Sequence, residues 1–368
     1  MATKIKELTP AIAIHPGEIL KDELQERGIK QNEFALLTGI PQTQLNEIIK
    51  GKRGINADIA LIIGKALKMD AVLWLNLQSN YELDLAKIND KNAIRLTALN
   101  QWEMVKSYIP EKFFKKEAVL SGNPISDIPV IKEIYGVKNF EQLAGVYSQT
   151  AYARFRKSDK LSIDKINLVG WIKLVGYKAA QMKAQSFDIR KQHELIDELK
   201  AIFRKNKKTV EKTIETLAEY GIKLIVQSHP EKCAVDGVSF WSNGNPAIGI
   251  TLRHKRIDNF AFTIMHELGH IFLHLINNNT AEFIDLEKDD TPEYKKSKEE
   301  KEANEFSRNS LINKDDWENF IEDNPCFVQN SIISFANKMK IHPGIVFGRY
   351  CFEMNNFQIR SSIDKTLL

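Results

Sequence analysis

The feature that most constrains this chain is the pentapeptide His266-Glu267-Leu268-Gly269-His270, in which two histidines stand four residues apart. It lies inside an apolar repeat from Phe260 to Leu275, whose spacing predicts a long helix that begins near Asp258. Residues four apart on a helix lie one turn above each other on the same face. Two imidazole nitrogens held in this way can bind one metal ion, so the segment predicts a helix that carries a metal site.

The glutamate between the two histidines has a different expected role. Glu267 lies beside the expected ion without binding it, where it can take a proton from a metal-activated water and pass it to a leaving amine. Two histidines and a carboxylate suit zinc, although manganese or iron can occupy the same ligands. The motif therefore predicts Zn²⁺ as the cofactor and Glu267 as the catalytic general base.

A catalytic zinc needs a third protein ligand, and an acidic helix about thirty residues downstream can supply it. A helix is predicted at 299–312, and only one of its crowded glutamates can face the metal, for which we expect Glu300. One turn beyond, Asn304 is expected to hydrogen-bond the second ring nitrogen of a ligand histidine. The other glutamates of this helix are expected at its solvated surface: Glu299, Glu302 and Glu305.

Three further features near the motif have open roles. His274 continues the histidine stripe, but a straight helix carries it about 12 Å from His266, so we expect packing or hydrogen bonding there. His342, in Ile341-His-Pro-Gly-Ile-Val346, either stabilises a developing oxyanion or is a structural turn residue. The predicted strand around Ile248 to Leu252 is a candidate substrate-binding edge, because an extended peptide can pair with an exposed strand.

A wider set of residues surrounds the expected ligands between Val235 and Ile312. Its members are Trp241, Asn245-Pro246, Arg256, Asp258-Asn259-Phe260, Phe262-Thr263, Ala303, Asn304, Phe306, Leu311 and Ile312. Together with the pentapeptide they resemble the ImmA/IrrE metallopeptidase domain. The resemblance implies a zincin-like fold and a thermolysin-like zinc site, with His266, His270 and Glu300 as ligands and Glu267 as the catalytic residue. Ser307 stands where this family usually has alanine.

The first 90 residues predict a run of five short helices. Those at 18–27, 31–38 and 42–50 each stop at a glycine, and two more are expected after Asn56 and from about Asp70 to Leu83. The very short turn at Gly39 gives the second and third helices helix-turn-helix geometry.

Four motifs make this segment similar to the XRE-type, lambda-repressor-like helix-turn-helix of HigA-family antitoxins. They are His15-Pro-Gly-Glu18, Leu45-Asn-Glu-Ile48, Gly51-Lys-Arg-Gly-Ile55 and Trp74-Leu-Asn-Leu-Gln78. The resemblance implies a double-stranded DNA operator as partner and a homodimer on two half-sites about one helical turn apart. The expected contacts are bases for Gln42, Thr43, Gln44 and Asn46, and phosphates for Gln31 and Lys50.

The composition limits the function classes. Over 368 residues, 52 basic side chains stand against 48 acidic ones, and a net charge of +4 is too balanced to indicate DNA binding by charge alone. The sequence has no secretory signal pattern and no apolar run long enough to predict a membrane span. The three widely spaced cysteines are expected to be free thiols. We therefore expect a cytoplasmic protein, and its DNA binding is predicted from the helix-turn-helix motif and not from its charge.

The length exceeds that of one ordinary core and predicts two or three domains. The expected fold class is mainly α with a small β-sheet (α+β), in which a hairpin spans 238–252. The expected order is a helix-turn-helix bundle at 1–88, a helical middle region at 89–205, a metallopeptidase domain at 206–354 and an exposed tail at 355–368.

The combined expectation is a DNA-binding transcriptional regulator with a zinc-dependent endopeptidase domain. By analogy, its protein substrate is a repressor or a toxin-like regulator. The alternative is an antitoxin and autorepressor that binds operator DNA and a toxin, while its metal domain is silent or regulatory. A third hypothesis is a transcription factor with a small-molecule sensor in its C-terminal half.

Overall fold

The computed structural model describes residues 11–147, 164–233, 235–286 and 297–368. The chain divides into two compact units, one up to Trp102 and the other from Glu103 onward. Helices dominate both units, and a small sheet lies in the second, which confirms the α+β fold class. No helix among the described residues has the length and apolar character needed to cross a membrane.

The first unit is built from short helices packed on one apolar core. They are α1 (Pro16–Glu26), α2 (Gln31–Thr38), α3 (Gln42–Ile49), α4 (Ala57–Leu67) and α5 (Ala71–Ile88), while α6 (Asp90–Val105) crosses the division between the units. Asn56 caps α4 with its side-chain oxygen, as the sequence predicts, and α5 runs beyond its predicted end at Leu83. The buried core includes Leu20, Phe34, Leu45, Ile48, Ile63 and Trp74.

Two glycines set the arrangement of α1, α2 and α3. Gly39 ends α2 in the left-handed region at φ 70°, which a glycine adopts without strain and which turns the chain into α3. A Cβ atom at Gly17 would lie 1.9 Å from the carbonyl oxygen of Ile48, so α1 and α3 can approach this closely only with glycine there. The predicted helix-turn-helix pair of α2 and α3 therefore forms, and α3 packs against α1.

The second unit begins with helices and continues through a sheet into further helices. The first helices are α7 (Glu111–Lys116), α8 (Pro124–Tyr135), α9 (Leu143–Val146), α10 (Lys165–Gln181), α11 (Gln192–Lys205) and α12 (Thr209–Glu219). The strands are β1 (Lys223–Val226), β2 (Val235–Ser242), β3 (Asn245–Ile250) and β4 (Phe283–Leu286). Between β3 and β4 lies α13 (Ile257–His270), which continues as a π-helix at Ile271–Leu275. The last helices are α14 (Lys298–Leu311), α15 (Lys314–Asp323), α16 (Gln329–Lys338) and α17 (Pro343–Glu353).

The four strands form one mixed sheet in the order β1-β3-β2-β4. β1 is parallel to β3, and β2 is antiparallel to both β3 and β4. The predicted hairpin is present, but the hypothesis that the strand around Ile248 to Leu252 binds substrate is wrong. β3 is paired on both sides and has no open edge, and β4, which the sequence did not predict, is the outermost strand next to β2 among the described residues.

The sheet has a helix on each face. Gly237 and Ser239 of β2 face α13, while α10 packs on the opposite face, where a Cβ atom at Gly249 would lie 2.4 Å from the side chain of Val175. The helical middle region at 89–205 thus supplies α10, the helix on the face of the sheet opposite α13. The final segment runs beside the start of α13, because Ile257 N–H donates to the carbonyl of Lys365 at 2.8 Å.

Two helices of the chain begin with the same His-Pro-Gly sequence, and both are capped by the histidine. Nδ1 of His15 accepts a hydrogen bond from Gly17 N–H at 2.9 Å, and Nδ1 of His342 accepts one from Gly344 N–H at 3.0 Å. The proline at the first helical position has no N–H that would need a partner. Of the two roles considered for His342, the structure therefore supports the structural one.

Because the cap needs a lone pair on Nδ1, replacing His342 with alanine should lower the stability of the full chain by about 1 kcal/mol, while asparagine should preserve it. Burial holds the pKa of His342 below its usual 6.5, so the cap contributes fully above about pH 6.5 and is lost as the pH falls through the folded-state pKa. Denaturant unfolding of wild type, His342→Ala and His342→Asn at pH 7.5 and 5.5 measures both effects. Equal stability of the two variants at pH 7.5 would contradict the capping role.

Candidate metal centre and nucleic-acid interface

The metal centre depends on the close approach of α13 and α14. A Cβ atom at Gly269 would lie 3.0 Å from the Cα of Ala303, which is itself fully buried. Small residues at the crossing allow the two backbones to come together, and Glu300 lies one turn before Ala303 on the same face of α14. The crossing therefore carries Glu300 to the histidines of α13.

The structure brings the three expected ligands together. Nε2 of His266 lies 3.0 Å from Nε2 of His270, and Oε2 of Glu300 lies 3.5 Å from each of these nitrogens. All three residues are no more than 5% exposed. Ligand atoms about 2.05 Å from a tetrahedral zinc ion lie about 3.3 Å from one another, so the observed triangle has the size that zinc requires.

The hydrogen bonding of the site also fits a cation. Among the described residues, Oε2 of Glu300 is buried without a hydrogen-bond partner. A carboxylate oxygen in that state is costly unless a positive charge satisfies it. The donor set of two imidazoles and one carboxylate is the one that catalytic zinc sites use.

Glu267 lies beside the three ligands and is held by β2. The hydroxyl of Ser239 donates a short hydrogen bond to Oε2 of Glu267, whereas Oε1 is buried with no hydrogen-bond partner in the described part of the chain. A Cβ atom at Gly237 would lie 2.0 Å from Oε1, so only glycine leaves room for the carboxylate there. Gly237 and Ser239 were not predicted as site residues, although small residues at alternate positions of a strand next to the motif were a readable signal.

The protein's own charges set unusual proton affinities at this site. Burial raises the pKa of Glu267 to about 8. Burial lowers the pKa of His266, but the nearby carboxylates, led by Glu300, outweigh it and raise the pKa to about 9. Burial acts to raise the pKa of Glu300, yet the two facing imidazoles hold it below the ordinary range.

Asn304 was expected to hydrogen-bond a ligand histidine, but the structure places His274 there. Asn304 is exposed on α14, and the Nδ1 atom of His270 faces the ring of His274 instead. His274 hydrogen-bonds as expected, but its partner is Glu302, a residue expected at the solvated surface. Glu299 and Glu305 are exposed.

A further carboxylate approaches the site from the edge of the sheet. Asp285 of β4 offers an oxygen that lies within 4.8 Å of ligand atoms of His266 and Glu267. It was not predicted, because β4 is only four residues long and no motif precedes it.

The first unit presents the expected DNA-contact residues on α2 and α3. Gln42 and Thr43 at the start of α3 and Lys50 at its end are exposed, and the remaining three are half-buried: Gln31, Gln44 and Asn46. The apolar face of α3 is buried through Leu45, Ile48 and Ile49, so its polar face is turned outward. This arrangement can present amides, a threonine and a lysine to a DNA groove.

Comparison with known protein families agrees with the geometry. Residues 20–74 match the family described as helix-turn-helix, and residues 218–342 match the IrrE N-terminal-like domain of the M78 peptidases. The second range contains the sheet and all four residues of the metal centre. The chain thus carries an XRE-type helix-turn-helix domain at its N-terminus and an IrrE/ImmA-like metallopeptidase domain at its C-terminus, which confirms both resemblances.

Individual relatives resemble part of the chain. Virulence-associated protein I of Dichelobacter nodosus is 40% identical over 85 residues, which are 23% of this chain and 78% of that protein. An addiction module antidote protein of the HigA family from Coxiella burnetii is 36% identical and covers 23% of this chain and 91% of its own, with a TM-score of 0.22. The Pseudomonas aeruginosa antitoxin HigA, solved with the higBA promoter, is 38% identical and covers 22% and 90%, with a TM-score of 0.22.

If the three ligands act together, metal content should depend on each of them. Wild-type protein should carry about one zinc ion per chain, and His266→Ala and Glu300→Ala should lose it while remaining folded. Glu305→Ala is the matched control, because Glu305 is exposed on the same helix. Elemental analysis after identical purification measures the content. Full zinc content in Glu300→Ala would show that the third ligand is wrongly assigned.

Proposed function

We propose that the protein is a DNA-binding transcriptional regulator whose C-terminal domain is a zinc-dependent endopeptidase. The observation that carries the proposal is the convergence of His266, His270 and Glu300 with the carboxylate of Glu267 held beside them. A structural zinc site is closed by four protein ligands, whereas a catalytic site has three and keeps a position open. Three ligands and an adjacent carboxylate therefore favour catalysis.

The residues of this chain have separable roles in peptide hydrolysis. Zinc, when bound, lowers the pKa of a water molecule and polarises the scissile carbonyl. Glu267 accepts the proton of the attacking water at Oε1, since Oε2 is engaged by Ser239. Glu267 then donates this proton to the amine nitrogen that leaves.

The substrate is proposed to lie beside the metal centre, next to β4, whose Asp285 carboxylate comes close to His266 and Glu267. We propose a regulatory protein, either a repressor or a toxin-like regulator, as the substrate in the cytoplasm.

The helix-turn-helix domain is proposed to bind an operator through α3. Its outward polar face presents the exposed Gln42 and Thr43 and the half-buried Gln44, and amide groups can pair with adenine while a threonine methyl contacts thymine. A homodimer would place two copies of α3 on half-sites about 34 Å apart. Exposed apolar side chains of the first unit support self-association: Leu61, Val72 and Leu73.

The peptidase proposal predicts a substrate whose cleavage depends on Glu267. Cells that produce the wild type should contain cleavage products of at least one regulatory protein, and cells that produce Glu267→Gln should contain the intact form, because glutamine cannot take the proton. Quantitative mapping of new protein termini compares the two, with Glu305→Gln as the matched control. Operator binding should be the same in all three proteins. Cleavage that persists in Glu267→Gln would refute the mechanism, and toxin neutralisation without any Glu267-dependent cleavage would favour an antitoxin.

The DNA proposal predicts that base and phosphate contacts respond differently to substitution. Gln44→Ala should weaken binding to the operator about five- to a hundredfold while leaving non-specific binding unchanged. Lys50→Ala should weaken both kinds of binding and reduce the salt dependence by about one unit of slope. Fluorescence anisotropy over a salt series measures these constants, with Lys91→Ala on α6 as an exposed control. Equal loss on operator and random DNA for Gln44→Ala would exclude base reading by that residue.

A further inference from the structure

The ligand His270 is backed by a chain of polar side chains that the metal-site proposal does not use. We propose that His274 and Glu302 form a positioning relay behind His270, which fixes the ring of this ligand and strengthens metal binding. The inference rests on the proposed metal site and assigns a role to two residues outside the three ligands. The relay consists of two contacts, from His270 to His274 and from His274 to Glu302.

The contacts define one consistent direction of hydrogen bonding. Nδ1 of His270 lies 3.2 Å from Nδ1 of His274, and Nε2 of His274 lies 3.1 Å from Oε2 of Glu302. A histidine that binds metal through Nε2 carries its proton on Nδ1 and donates from there. Nδ1 of His274 then accepts, which leaves the proton of that ring on Nε2, where it donates to the carboxylate. Each ring is thereby restricted to a single tautomer.

The backbone is reshaped where the relay begins. α13 ends at His270, and the next residues, Ile271–Leu275, form a π-helix in which Ile276 N–H donates to the carbonyl of Ile271 at 3.3 Å. Such segments are rare and often lie at functional sites, because they re-aim side chains at a cost in regular hydrogen bonding. Here the π-helical turn contains His274, whose ring centre lies 5.3 Å from that of His270.

An aromatic side chain from the sheet covers the two rings. Phe283 of β4 stacks on His270 with ring centres 4.4 Å apart and an angle of 13° between the planes, and its ring lies 5.3 Å from that of His274. His270 is 1% exposed. Exclusion of water strengthens hydrogen bonds between the covered groups. Stacking on Phe283 limits tilting of the His270 ring, and the hydrogen bond to His274 fixes the direction in which Nδ1 of His270 points.

The far end of the relay is anchored at the surface. Glu302 is half-buried and also pairs with Lys298 at 3.3 Å, one turn earlier on α14. The relay thus connects α13 to α14 a second time, on the side of His270 away from Glu300. A carboxylate at the end of such a chain makes the ligand nitrogen a better donor to metal.

The test is the zinc affinity of full-length variants, measured by competition with a chromophoric chelator. His274→Phe keeps an aromatic ring against Phe283 but ends the relay, and it should bind zinc about ten- to a hundredfold more weakly than the wild type. His274→Gln can accept from His270 and donate to Glu302 through one amide, so it should restore the affinity to within about threefold. Glu302→Ala should weaken binding by at least about threefold, and Asn304→Ala, which changes an exposed neighbour, should have no effect.

Two further readouts separate positioning from folding. Thermal unfolding of the metal-free proteins should be similar in all variants, and the visible spectrum of the cobalt-substituted protein should change in His274→Phe but not in Asn304→Ala. If His274→Phe and Glu302→Ala both fold and both bind zinc with wild-type affinity, the relay is refuted while the metal site stands. Equal weakening by phenylalanine and glutamine also overturns the relay. Absence of zinc binding in the wild type overturns the metal site itself, and with it this inference. If His274→Phe does not fold, Glu302→Ala decides the question.

Discussion

The second unit depends on one backbone contact, the approach of Gly269 to Ala303 where α13 crosses α14. A side chain at position 269 would press on the backbone of Ala303, which carries Glu300 one turn away on the same helix. The pentapeptide supplies two ligands with the spacing of one helical turn, but the third comes from a separate helix and is positioned only by this packing. The glycine of the motif thus has a packing role that is as important to the site as its charged neighbours.

A second constraint is the concentration of ionisable groups in a dry interior. Four ionisable residues are buried together between β2, α13 and α14: His266, Glu267, His270 and Glu300. Burial of an unpaired charge is costly, and burial raises the pKa of Glu267 for that reason. A cation held by Glu300 would satisfy its Oε2 oxygen, which has no hydrogen-bond partner among the described residues. Such a cluster reduces stability in the absence of metal, which is typical of a site kept for chemistry.

Much of this arrangement could be predicted from the sequence, because it is encoded locally. The helix at Gln31–Thr38 was predicted at its observed bounds, since Gly28 precedes it and Gly39 ends it. The metal motif lies within one helix, and Glu300 is the glutamate of α14 that the structure brings to it. The contacts that were missed join distant segments: Ser239 to Glu267, and His274 to Glu302. His274 was expected to pack or to hydrogen-bond, but its partners were not named, and the π-helical turn that holds it was not readable from the sequence. The four-residue strand β4, with Asp285, lacked any flanking signal.

The measurement that tests the central claim most directly is anomalous diffraction at the zinc edge from crystals of the zinc-loaded full-length protein. A single strong peak is predicted about 2.0 to 2.2 Å from Nε2 of His266, Nε2 of His270 and a carboxylate oxygen of Glu300, with Glu267 beside the ion but not bound to it. A peak coordinated by Glu267 in place of Glu300, or no peak among these residues, would contradict the assignment of ligands and base on which the proposed chemistry rests.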